Sequence, residues 1–218
     1  MIKVIQLATA LTILSLATSC SLPKIIVLHD PLSAEEHIKL GGIYDSQGKT
    51  GLAREQYRFA VKQAPKNGRA WSLLGDIAYR EKYYPEAEKA YGKALDLDPK
   101  SGDLHNNLAW VYVQQDKRLG KAQELVQAAL EHTPAHRPYY LDTLGVIQLK
   151  LGKIPDAITS LLEAVETIPR GQPDLLAEAY QHLADAYHAA GDSPAADNAL
   201  ARMRQLKPVT PKEPASQP

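Results

Sequence analysis

Histidines are the side chains of this sequence best suited to metal or proton chemistry, but their spacing limits that chemistry. His132 and His136 are four residues apart, which would place both imidazoles on one face of a helix. Pro134 lies between them, and proline breaks the interior of a helix. His105 and His188 have no cysteine or second histidine at ligand spacing. The histidines therefore predict ordinary polar surface, and we expect neither a metal site nor a cofactor.

Catalytic motifs are also missing from the sequence. It contains no G-x-S-x-G, no phosphate-binding G-x-x-x-x-G-K-[ST] loop and no H-E-x-x-H. Carboxylate pairs such as Glu86/Glu88 and Asp96/Asp98 fall on expected solvated faces or in turns. The 25 Lys and Arg residues equal the 25 Asp and Glu residues, so no charge excess favours nucleic acid. We expect a protein that is not an enzyme and binds neither nucleic acid nor a small-molecule substrate.

Cys20 is the single cysteine, which excludes an internal disulfide and any CxxC pair. It follows a short basic start, Met1-Ile2-Lys3, a largely apolar run over 4–17, and the small residues Ala17-Thr18-Ser19. The apolar run is shorter than the roughly 20 residues that a transmembrane helix needs. This arrangement resembles the signal peptide and lipobox of bacterial lipoproteins.

The resemblance implies that residues 1–19 are a signal peptide and that Cys20 is lipidated, with three acyl chains such as palmitate. Such an anchor would be effectively permanent. Because Ser21 rather than Asp follows, it implies the periplasmic side of the outer membrane of a Gram-negative bacterium. An ordinary secretory peptide or an uncleaved anchor, with Cys20 incidental, are the alternatives. Residues 20–32 would form the tether, and the proline-rich residues 209–218 a disordered tail.

The remaining chain repeats one helical pattern. In residues 68–101, Leu74, Gly75 and Ala78 form one stripe and Ala87, Tyr91 and Ala94 form a second stripe at helical spacing. Gly75 is small enough to let the second helix approach the first closely. Similar patterns define five units: 34–67, 68–101, 102–136, 138–171 and 177–208. The third unit carries one extra residue in its turn.

The run Trp71-x2-Leu74-Gly75, continued by Ala87, Tyr91, Ala94 and Pro99, is similar to the signature of tetratricopeptide (TPR) repeats, whose period is about 34 residues. Stacked repeats share one core that no single repeat can bury. The resemblance implies an all-α fold, a right-handed superhelix of about five helix-turn-helix repeats over residues 33–208. It also places the first helices on the inner, concave wall.

By the same resemblance, the second, fifth, ninth and twelfth residues of each repeat face the groove and bind a protein partner. Aromatic and aliphatic residues in the middle, with carboxylates and amides around them, suit an extended peptide or a helix. The predicted groove residues are Arg69, Ser72, Asp76, Tyr79, Asp103, Asn106, Trp110, Val113, Tyr139, Asp142, Val146, Leu149, Glu178, Gln181, Asp185 and His188.

Trp110 has two interpretations, an anchor for the partner or packing between neighbouring first helices. Tyr139 and Tyr140 have the same two, and one of them must face the core. TPR domains that hold the carboxylate terminus of chaperones use lysines, asparagines and an arginine. Only Asn106 approaches that pattern, and aspartates occupy neighbouring groove positions, so no carboxylate clamp is expected.

The arrangement resembles the TPR pilotins of type IV pilus systems. The run NNLAWVY through YLDTLGVIQLKLGKIPDAI is also similar to TPR lipoproteins of polysaccharide-export and exosortase-linked loci. Both resemblances imply a non-catalytic outer-membrane lipoprotein scaffold that supports assembly or export of an envelope structure. The alternative is a periplasmic adaptor that regulates a cell-wall enzyme. TPR motifs specify architecture rather than partner, so the residues leave these choices open.

Overall fold

The computed structural model describes residues 30–206, which form helices and short connecting segments. Within these residues, ten α-helices pair in chain order into five hairpins. The all-α solenoid of helix-turn-helix repeats is thereby confirmed. The helices are α1 (Ala34–Ser46), α2 (Thr50–Gln63), α3 (Gly68–Arg80), α4 (Tyr84–Leu97), α5 (Gly102–Gln114), α6 (Leu119–His132), α7 (Arg137–Lys150), α8 (Ile154–Thr167), α9 (Pro173–Ala190) and α10 (Ser193–Leu206).

The chain divides after Pro31, and a second unit begins at Leu32. All ten helices belong to the second unit. The predicted signal peptide, Cys20, most of the tether and the tail over 209–218 lie outside the described residues. None of the helices in the described range is both long and apolar enough to span a bilayer.

Side-chain caps fix where several helices begin. Ser33 and Glu36 form a reciprocal capping box. The Glu36 backbone N–H donates to Ser33 Oγ at 3.3 Å, and the Ser33 backbone N–H donates to Glu36 Oε2 at 2.7 Å. Asn67 caps α3 and Ser101 caps α5 in the same way, each by accepting from a backbone N–H three residues later.

Turn lengths follow the sequence pattern. Three residues separate the two helices of the first, second and fourth hairpins, and four residues, 115–118, separate α5 from α6. This longer turn holds the extra residue of the third unit. A short 3-10 helix, Pro134–His136, separates α6 from α7, so His132 and His136 lie on different helical segments.

Each of three hairpins closes where a large side chain lies directly over a glycine of the first helix. A Cβ atom added to Gly75 would lie 2.6 Å from Cδ1 and Cε1 of the Tyr91 ring, much closer than two carbon atoms can approach. Gly41 meets the Tyr57 ring in the same way, and Gly145 meets Leu161. The predicted close approach at Gly75 is confirmed.

The buried core crosses from one hairpin to the next. One cluster joins residues of the first two hairpins, a second extends from Ala78 through the third hairpin to Ile147, and a third joins Leu161 to Leu183. This sharing is what makes stacked repeats stable when single repeats are not. Tyr140 is only 1% exposed and belongs to the second cluster, so it is the tyrosine of the pair Tyr139/Tyr140 that faces the core.

The glycine contact gives the first testable prediction. Replacing Gly75 with Ala should lower the free energy of unfolding by about 1–3 kcal/mol, because the buried Tyr91 ring must shift to admit a methyl group. The measurement is the change in the urea unfolding midpoint, monitored by circular dichroism.

Gly92 provides the matched control in the same hairpin. It lies inside α4, and apart from its own helix backbone no atom of residues 30–206 comes within 4 Å of an added Cβ. Gly92→Ala should therefore be neutral or stabilising by up to about 1 kcal/mol, because alanine is the better helix former. Equal midpoints for the two variants would contradict the packing argument.

Candidate partner-binding groove

The first helices α3, α5, α7 and α9 line two adjoining cavities, which we call the groove. Their volumes are about 830 and 710 Å³, within the range typical of ligand pockets. The two cavities share Asp76, Asn106, Asn107 and Tyr139. The groove is therefore assembled from residues of successive repeats rather than from one hairpin.

Ten of the predicted groove residues line it. The larger cavity contains the predicted aromatic side chains together with amides and carboxylates. Its predicted members are Asp76, Tyr79, Asn106, Trp110, Tyr139, Asp142, Glu178 and Gln181, and the second cavity adds Ser72 and Asp103.

The other six predicted residues do not line the groove. Val113 is only 3% exposed and lies in the core, so its placement in the groove was wrong. Val146 and Leu149 also pack against core clusters. An apolar side chain at the border between groove and core gains free energy by turning towards the core. Arg69, Asp185 and His188 are exposed residues outside both cavities.

Five polar residues of the first helices that line the larger cavity were not predicted. Asn107, Thr143 and His182 occupy the sixth position of the third, fourth and fifth repeats, and Arg80 and Gln114 occupy the thirteenth position of their repeats. The sixth and thirteenth positions are seven residues apart and therefore share a helical face. Polar residues recur at the sixth position of three consecutive repeats, and this pattern in the sequence could have identified them as groove residues.

An ion pair between α7 and α9 forms part of the groove wall. His182 Nδ1 lies 2.9 and 3.0 Å from the two oxygens of Asp142, which is only 5% exposed. Burial alone would lower the pKa of His182, but the hydrogen bond and charge of Asp142 outweigh it, with smaller contributions from Asp185 and Glu178. The net result is a raised pKa, which favours the imidazolium form.

Trp110 lies at the border between the core and the groove. Its ring packs against the core cluster and also lines the groove, with its centroid 6.4 Å from that of His182. Its indole Nε1–H donates to Thr143 Oγ1 at 2.9 Å, and that hydroxyl donates to the Tyr139 carbonyl at 3.0 Å. Tyr139 itself is 39% exposed. The groove thus has a fixed tryptophan beside an accessible tyrosine.

Asp76 lies where the two cavities meet. Its Oδ1 accepts a 2.8 Å hydrogen bond from the Tyr91 hydroxyl. Burial raises the pKa of Asp76, while this hydrogen bond and the charge of Arg80 act in the opposite direction. The Arg80 guanidinium pairs with Asp45 at 2.6 Å.

The described groove contains two pairs of an acid with a histidine. Asp142 and His182 resemble the orienting acid and base of a hydrolase, but in the described part of the chain no hydroxyl or thiol is hydrogen-bonded to His182. Residues 30–206 contain no group of three His, Cys, Asp or Glu residues that could hold a metal ion. His136 instead pairs with Asp103 at 2.8 Å. We find here no assembled nucleophile or metal centre.

Comparisons with known proteins agree with this architecture. Two sequence-family models of the tetratricopeptide repeat match residues 38–102 and 78–144. The type IV pilus assembly protein PilF of Pseudomonas aeruginosa is 30% identical over 106 residues, which cover 46% of this chain and 40% of PilF. The tetratricopeptide repeat-containing protein trd-1 of Caenorhabditis elegans is 24% identical over 155 residues, which cover 71% of this chain and 20% of trd-1. The chain therefore spans well under half the length of these relatives.

Solved structures share the fold at lower identity. PilW, a widely conserved type IV pilus biogenesis factor, aligns with a TM-score of 0.71 and 21% identity over 79% of this chain and 77% of PilW. YrrB, a TPR protein with an unusual peptide-binding site, aligns with a TM-score of 0.61 and 20% identity over 82% of this chain and 88% of YrrB. These likenesses establish the repeat fold alone.

The Asp142–His182 pair gives a prediction of pH-dependent stability. The folded pKa of His182 is raised above its ordinary value of 6.5, so its contribution is complete below that value and is lost as the pH rises through the folded pKa. The stability advantage of the wild type over His182→Gln should therefore be larger near about pH 5.5 than near about pH 8.5. Urea unfolding at both pH values measures the difference.

The Asp142→Asn background is the control. Without the carboxylate, burial disfavours the imidazolium form, so the advantage of histidine over glutamine at the lower pH should disappear or reverse. An advantage of the wild type that grows towards high pH would refute the assignment of the ion pair.

Proposed function

The chain carries tetratricopeptide repeats, and we propose that it is a non-catalytic, lipid-anchored scaffold that binds a protein partner in the groove. The observation that carries this proposal is the groove itself, in which Trp110 and the exposed ring of Tyr139 lie among amides and carboxylates. Aromatic side chains surrounded by polar groups are typical of the centres of protein–protein interfaces.

We propose that the partner belongs to an envelope assembly or export system, with type IV pilus assembly first. The local similarity to the pilus protein PilF and the shared fold of PilW support this choice. The description of YrrB as peptide-binding supports a peptide as the bound element. The alternatives are a partner from a polysaccharide-export system and a cell-wall enzyme. The identity of the captured partner distinguishes them.

Anchoring at Cys20 completes the proposal. Residues 1–20 resemble a lipoprotein signal peptide followed by the cysteine that would be lipidated. The protein would then face the periplasm from the outer membrane, and residues 21–32 would hold the repeats close to the bilayer.

Trp110 provides the test of groove binding. The full-length Trp110→Ala protein should lose a partner that the wild type captures from solubilised membranes, because the central aromatic surface of the groove is removed. The measurement is quantitative mass spectrometry of the captured proteins at matched expression and with an unchanged circular dichroism spectrum.

Trp71 is the matched control, since it is the other tryptophan and also lies on a first helix. It packs beside the first core cluster, its Nε1–H donates to the Pro65 carbonyl, and it lines neither cavity. Trp71→Ala should retain the partner. Equal retention by both variants would move the binding surface away from the groove.

Cys20 provides a separate test of the anchor. Cells that express the wild type and receive radiolabelled palmitate should yield a labelled protein in the outer-membrane fraction. Cys20→Ala should carry no label, because it removes the only thiol that could be lipidated. Equal labelling of both proteins, or a wild type without label in a lipoprotein-producing host, would contradict the proposal.

A further inference from the structure

We propose that Asp76 binds the lysine or arginine side chain of an extended partner segment whose neighbouring apolar side chain contacts Trp110. This inference rests on the proposed binding of a partner in the groove and specifies the chemistry of that partner. Asp76 and Trp110 line the same cavity, and Asp76 also borders the second cavity, so both side chains of the segment can be accommodated together.

Asp76 is held in place by the packing of its own hairpin. The Tyr91 ring lies over Gly75, is only 2% exposed, and donates its hydroxyl to Asp76 Oδ1 at 2.8 Å. Within residues 30–206, this hydroxyl is the one hydrogen-bond donor to the carboxylate. The acceptor capacity of Oδ2 therefore remains for a ligand.

Basic groups of the groove already have other acidic partners. Arg80 pairs with Asp45, His182 pairs with Asp142, and His136 pairs with Asp103. Among the acids that line the groove, Asp76 and the exposed Glu178 have no ion pair within the described part of the chain.

A partner's cation would relieve the electrostatic cost of Asp76. Its partly buried carboxylate is poorly solvated, which is why burial raises its pKa. A guanidinium or ammonium group supplies the compensating charge and donates to the free oxygen. An acidic segment would instead place like charges together, which disfavours binding.

Amide side chains around Asp76 favour an extended segment over a helix. The Asn107 amide has no hydrogen bond within residues 30–206, and the buried Asn106 Oδ1 has no donor there. Amides can both donate to and accept from the unpaired backbone groups of an extended peptide. A helix pairs most of those groups internally and would offer the amides fewer hydrogen-bond partners.

The experiment selects ligands without assuming their identity. A displayed library of short random peptides is panned on the full-length protein in detergent. The selected peptides should carry a lysine or arginine close to an aromatic or aliphatic residue. A synthetic copy of one such peptide then serves as the probe, with its dissociation constant measured by fluorescence anisotropy.

Asp76→Asn is the decisive variant. Its side-chain oxygen can still accept from the Tyr91 hydroxyl, so the fold should be retained, and circular dichroism checks this. Binding of the probe should weaken by about tenfold, since the charge partner is lost. Asp185→Asn, which removes an exposed carboxylate of a first helix outside both cavities, should weaken binding by less than about twofold.

A change in the peptide provides the second measurement and leaves the protein intact. Replacing the basic residue of the probe with methionine should also weaken binding to the wild type by about tenfold, but should matter less than about twofold for Asp76→Asn. This non-additivity identifies Asp76 as the group that contacts the cation.

Each other outcome overturns a defined part of the argument. If Trp110→Ala abolishes binding but both aspartate variants bind like the wild type, the groove binds peptides and the role of Asp76 is wrong. Selection of neutral or acidic peptides would likewise show that the role of Asp76 is wrong. If no peptide is enriched, or if Trp110→Ala binds the probe like the wild type, the proposed groove function fails together with this inference.

Discussion

The contact between a small residue of one helix and a large residue of the next is the constraint on which the rest of the structure depends. Where the first helix has Gly41, Gly75 or Gly145, a tyrosine or leucine of the second helix lies against the glycine backbone. The third repeat has the larger Ala109 at the equivalent position of its first helix. Its second helix has Val126, which is smaller than tyrosine or leucine. The sizes are complementary, since the larger side chain lies opposite glycine and the smaller one belongs to the repeat with alanine.

This packing contact also shapes the groove. Tyr91 fills the space over Gly75 with its ring and holds Asp76 with its hydroxyl, so one side chain connects the core of a hairpin to the candidate binding surface. Groove residues are joined to neighbouring repeats by pairs far apart in sequence, such as His182 with Asp142 and Arg80 with Asp45. A rigid wall of this kind reduces the entropy lost when a partner binds.

Charge placement separates this groove from a surface that binds a carboxylate terminus. Its arginine and histidine side chains are paired internally, while within residues 30–206 Asp76 retains an unused acceptor oxygen in the cavity that Trp110 lines. The expected ligand is therefore cationic and partly apolar, which distinguishes candidate partners on chemical grounds. The repeat fold it shares with PilW and YrrB could not supply that distinction, because architecture does not determine the bound partner.

The sequence by itself determined the five hairpins, because glycine, alanine and aromatic residues recur at fixed helical spacing and each hairpin closes through local contacts. It also predicted ten of the groove residues, since the first-helix face is set by helical periodicity. Only the tertiary structure decided where that face ends. Stacking one hairpin on the next buries Val113 and brings Asn107, Thr143 and His182 to the groove. The rotation between neighbouring hairpins comes from side-chain packing across repeats, and the periodicity within one repeat does not contain that information.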